Sequence, residues 1–141
     1  MTTTSTSIAV GTGRSPLRGK AVAVAAAVVA PLAVWTIVGP VLGNDLQVAY
    51  GGGTQTVGAA GVLMASLIAA LAGAGTFSIA ERAVRHGRTV WTVVAVAALV
   101  LSLGGPFSAQ AETGTKVALA LLHVTVAAVL IPLLRRSSTA R

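Results

Sequence analysis

Four long uncharged stretches constrain this chain more tightly than any motif in it. Residues 21–43, 57–80, 89–111 and 117–134 contain no Lys, Arg, Asp or Glu. A helix needs roughly 20 apolar residues to cross a hydrocarbon core about 30 Å thick. Inside lipid each backbone N–H and C=O must find its partner within the protein, which a helix provides. The stretches therefore predict an all-α, polytopic membrane protein built as a four-transmembrane-helix up-down bundle. Charged residues make up only 9% of the chain, against about 25% in soluble domains. The expected organisation is a disordered cytoplasmic tail at 1–20 and a transmembrane domain at 21–134. Its spans lie at about 21–43, 57–80, 89–109 and 117–134, and a second cytoplasmic tail covers 135–141.

The basic residues orient the bundle. Arg14, Arg18 and Lys20 precede the first span, Arg82, Arg85 and Arg88 separate the second from the third, and Arg135, Arg136 and Arg141 follow the fourth. The other two loops share a single basic residue, Lys116. Lys and Arg are retained on the cytoplasmic side of short loops, so the pattern predicts an N-in/C-in topology in the cell membrane. The same side chains are placed to meet anionic lipid headgroups. The net charge of +7 is thus a topology signal, and no nucleic-acid partner is expected. The first apolar run exceeds the 7–15 residues usual in a signal peptide, so it reads as a span.

Within the spans, Pro31 predicts a kink in the first helix, and Trp35 is a candidate interface anchor. Gly61, Ala65, Ala69 and Gly73 form a small-residue stripe at four-residue spacing, expected to let another helix approach closely. Trp91 falls near the inner end of span three. Gly104-Gly105-Pro106 is expected to end or bend that span, and Pro132 to mark the inner end of span four.

His123 is the single ionisable side chain inside any span. Glu112, Lys116 and His123 fall within one helical stripe, and Asp45, Gln47, Tyr50 and Gln110 belong to the same outer side. Two carboxylates near a buried imidazole could perform acid–base work on a lipophilic substrate, which makes His123, Glu112 and Asp45 the catalytic candidates. The alternative is that Asp45, Glu112 and Lys116 are solvated loop residues and that His123 bonds a neighbouring helix.

No cysteine is present, which removes disulfides and thiolate sites. No metal site is expected, because His86 lies on the opposite side from His123 and no paired-histidine motif occurs. No cofactor motif is present either. Gly51-Gly52-Gly53 lacks the pattern of a phosphate loop and reads as a flexible connection. Glu81 and Arg85 stand four residues apart and are expected to pair at a helix end.

Ala98 to Pro106 (ALVLSLGGP), Thr115 to His123 (TKVALALLH) and Ile131-Pro132 resemble an uncharacterised family of small four-span actinobacterial membrane proteins. The resemblance implies the four-span architecture and carries over no activity or site residue. The leading functional expectation is a non-catalytic accessory or assembly component, with a homo-oligomer or another membrane protein as partner. The alternatives are a membrane-embedded acid–base enzyme at the outer leaflet and a transporter or channel component.

Overall fold

The computed structural model describes residues 16–50 and 52–137. Arg14, Arg141 and most of the two expected tails lie outside them. Four helices are long and apolar enough to cross a membrane. They are α1 (Pro16–Thr36), α2 (Ala59–Ala83), α3 (Gly87–Ser108) and α4 (Thr113–Ser137). Their outward faces carry exposed Leu71, Val93, Leu101 and Val117. That is the surface of a protein solvated by lipid, since a soluble monomer rarely exposes so broad an apolar area.

The helix limits differ from the expected span limits in both directions. α1 starts at Pro16, so residues 16–20 are helical, and proline suits a first helical turn because its missing N–H would be unpaired there anyway. α3 continues through Gly104-Gly105-Pro106 to Ser108, and α4 continues through Pro132 to Ser137. α3 thus ends two residues after Pro106, near its expected outer limit, whereas α4 runs five residues beyond Pro132, the expected inner end of its span. Proline is tolerated inside membrane helices because neighbouring groups take up the freed carbonyls. Pro40 acts differently. It cannot donate to a carbonyl four residues back, and the chain widens into a π-helical segment, Ile37–Val41. Leu42 N–H then bonds Ile37 O at 3.0 Å and Asn44 N–H bonds Gly39 O at 3.1 Å.

The connection after this segment is a β-hairpin, β1 (Gln47–Tyr50) with β2 (Gly53–Thr56), in antiparallel register with Tyr50 opposite Gly53. A flexible glycine linker was expected there. Gly52 instead has φ +83° in the two-residue turn, a conformation that glycine adopts without steric penalty. Ala49 N–H reaches Gln110 O at 3.0 Å, and Trp35 Nε1–H reaches Val57 O at 2.8 Å. The hairpin is thus tied both to the α3–α4 connection and to α1.

α1 packs most extensively on α4, and next on α2. Ala23, Ala27 and Pro31 are the buried positions at four-residue spacing on α1, and Gly19 continues their line. A Cβ on Gly19 would stand 2.7 Å from Ser137 Cβ. This stripe lets two helices of the chain approach closely. The core joins Ala23 and Ala27 to Ala70, Phe77, Trp91, Leu130 and Leu134. At the same end Arg18, Arg82, Arg85, Arg135 and Arg136 are exposed, so the bundle has a basic end and a hairpin end.

Candidate functional site

A cavity of about 550 Å³ opens between α2 and α3, with α4 behind it and Pro31 of α1 also on its wall. The α2 side includes Gly61, Val62, Ala65, Ser66, Ala69, Ala72, Gly73 and Thr76. Gly61, Ala65 and Ala69 are exposed, and a Cβ on Gly61 would meet nothing within 4 Å. The predicted stripe therefore faces open space over most of its length. At its lower end Gly73 is close-packed, because a Cβ there would stand 2.7 Å from Leu130 Cδ2. The buried face of α2 is the neighbouring row, Val62, Ser66, Ala70 and Phe77.

The geometry of the cavity follows from side-chain size. Small residues on α2 and Val94, Ala95 and Ala98 on α3 cannot reach across the gap. Toward the basic end larger groups close it. Trp91 is buried, packs edge-on against Phe77 at 4.9 Å between centroids, and donates Nε1–H to Thr76 Oγ1 at 3.0 Å. Trp91 thus serves as the floor of the cavity, with its one polar group satisfied as burial demands.

His123 lies on the α4 wall and is half-buried. It stands ten residues from the start of α4, about 15 Å from the hairpin end of that helix. Its Nδ1 is 2.7 Å from Leu119 O. A carbonyl can only accept, so in the neutral ring Nδ1 carries the proton and Nε2 is the acceptor. Leu119 O is the hydrogen-bond partner of the ring among the described residues, and among them no buried side-chain nitrogen or oxygen lacks a partner. Nε2 is therefore accessible at the cavity wall. Two of the hydroxyls there bond backbone on their own helix: Ser66 Oγ–H reaches Leu63 O at 3.1 Å and Thr76 Oγ1–H reaches Ala72 O at 2.8 Å.

The predicted acid–base constellation is not assembled in this cavity. Asp45 and Glu112 are exposed, and neither lines it. Glu112 meets Lys116 through the backbone, accepting its N–H at 3.0 Å, and no salt bridge joins their side chains among the described residues. The two outer connections do converge, through Ala49 and Gln110, but they bring no carboxylate to His123. No group of three His, Cys, Asp or Glu side chains that could hold a metal occurs among the described residues.

Charge is concentrated at the basic end. Lys20 Nζ lies 3.2 Å from Glu81 Oε2, donates to Ser78 Oγ at 2.8 Å and sits 5.4 Å from the centre of the Phe77 ring. Arg88 Nε is 3.7 Å from Glu81 Oε1. Glu81 therefore links α1, α2 and α3, and the pair expected within the chain segment Glu81–Arg85 is replaced by these long-range partners. Lys20, assigned from sequence to headgroups, is turned into the bundle. The signal available beforehand was the pairing of one lone acid at that end with many bases, but sequence spacing alone favoured the local partner.

A model described as a family of unknown function (DUF6069) matches residues 11–140. No curated protein and no solved structure matches the chain.

Proposed function

The chain belongs to the DUF6069 family of unknown function, and from that premise we propose that it is a non-catalytic accessory component of the cell membrane which receives an apolar guest in its cavity. The basic end faces the cytoplasm and its exposed arginines meet anionic headgroups. One observation carries the proposal. The cavity wall is mostly apolar, with Ser66, Thr76 and Ser102 as its hydroxyls, His123 as its single ionisable side chain and no carboxylate. Binding sites for small molecules are commonly apolar hollows of 300–1,000 Å³ carrying a few placed polar groups. The acid–base alternative drew on Asp45 and Glu112 together with His123, and both carboxylates stand outside the wall.

Native mass spectrometry of the protein extracted in mild detergent tests this. Wild type and the double variant Asp45→Asn, Glu112→Gln should carry the same non-protein mass. Ala65→Phe, which fills the cavity, should lose it. Absence of retained mass in wild type would overturn the proposal. So would a bound species whose chemical identity changes when the two carboxylates are neutralised.

A further inference from the structure

The cavity is tall. Gly61 and Thr76 on its α2 wall are fifteen residues apart, a height of about 22 Å at 1.5 Å per residue. Its volume is about 550 Å³, and an extended hydrocarbon chain fits along that height.

The one ionisable side chain of the wall stands off-centre along that height. On α4 the wall runs from Leu119 to Ile131, and His123 stands four residues from its upper limit. The accessible acceptor Nε2 is therefore in the third nearest the hairpin end. Below it the α4 wall is Val126, Ala127, Leu130 and Ile131, down to the Trp91 floor.

We propose that the cavity binds a single-chain amphiphile bearing a hydroxyl, with the hydroxyl donating to His123 Nε2 and the hydrocarbon tail directed toward Trp91. The inference rests on the reading above that the cavity takes an apolar guest, and it adds the guest's chemistry and direction. An acceptor surrounded by apolar side chains favours a donor strongly, because leaving either group unpaired there carries a desolvation penalty. A hydroxyl satisfies Nε2 without bringing a charge into the bilayer. An alkane of the same length fills the slot and leaves the ring unpaired.

The full-length protein in phosphatidylcholine nanodiscs, photolabelled with a diazirine-bearing hexadecanol, provides the test. Adducts should saturate and map to the facing peptides of α2, α3 and α4. Unlabelled hexadecanol should compete about tenfold better than hexadecane, as one hydrogen bond in an apolar site implies. His123→Leu should abolish that preference while labelling persists, and His123→Gln, which retains an acceptor, should keep it. Equal melting temperatures of the variants establish that each is folded. If hexadecane competes equally with hexadecanol in wild type, or if His123→Leu keeps the preference, the hydroxyl assignment falls and the apolar-guest reading stands. If adducts do not saturate and scatter over the lipid-facing surface, both fall.

Discussion

Glu81 Oε2 lies 3.2 Å from Lys20 Nζ, and the other oxygen of that carboxylate lies 3.7 Å from Arg88 Nε. One acid thus stands between two bases from two other helices. Both Lys20 and Glu81 side chains are 22% exposed, enough burial for the contact to hold against competition from water. Arg88 is 39% exposed, where ion pairs contribute little.

Glu81→Gln should therefore destabilise the bundle by about 1 kcal/mol, read as a lowered melting temperature in detergent, because it leaves two cations facing each other. Arg88→Gln should be close to neutral. An unchanged melting temperature for Glu81→Gln would show that the three-helix link contributes nothing.

The glycines should separate into sensitive and tolerant positions. A Cβ on Gly87 would run into the Ala80 carbonyl and the Glu81 nitrogen, which are backbone and cannot rotate away. Gly87→Ala should cost about 1–3 kcal/mol. Gly73→Leu should also destabilise, through Leu130 and Trp91. Gly61→Leu should leave thermal stability unchanged, since that position is open. This separates Gly61 from Gly73, which the sequence pattern treated alike. Equal losses at both would contradict the open wall.

Topology can be read with single cysteines in this cysteine-free chain. Gln47, Gln110 and Arg85 are all exposed, so labelling reports the side of the membrane rather than burial. Impermeant maleimide applied outside should react at positions 47 and 110 and spare position 85. The reverse pattern would invert the bundle.

The four helices were legible because lipid imposes one rule on every spanning residue, and length and charge express it directly. Helix limits were less legible. Pro106 and Pro132 are strong helix breakers in water, where solvent competes for the backbone, but the bilayer removes that competitor. The hairpin had a signal that was passed over: Gly51-Gly52 between two short segments in exact two-residue spacing. The candidate site was half legible. His123 stood out by its chemistry, whereas its separation from Asp45 and Glu112 depends on how the loops fold. The stripe on α2 was recognised, but spacing cannot distinguish a face that packs from a face that lines a hollow. The Gly19, Ala23, Ala27, Pro31 line had the same spacing and packs.

An experimental structure in lipid nanodiscs tests the central claim most directly, that α2 and α3 enclose a hollow for an apolar guest. The account predicts one elongated non-protein density between Gly61 and Thr76, ending above the Trp91 ring. A cavity closed by inward movement of α3, with Ala98 packed on the Ala65 and Ala69 face and no density between them, would contradict it.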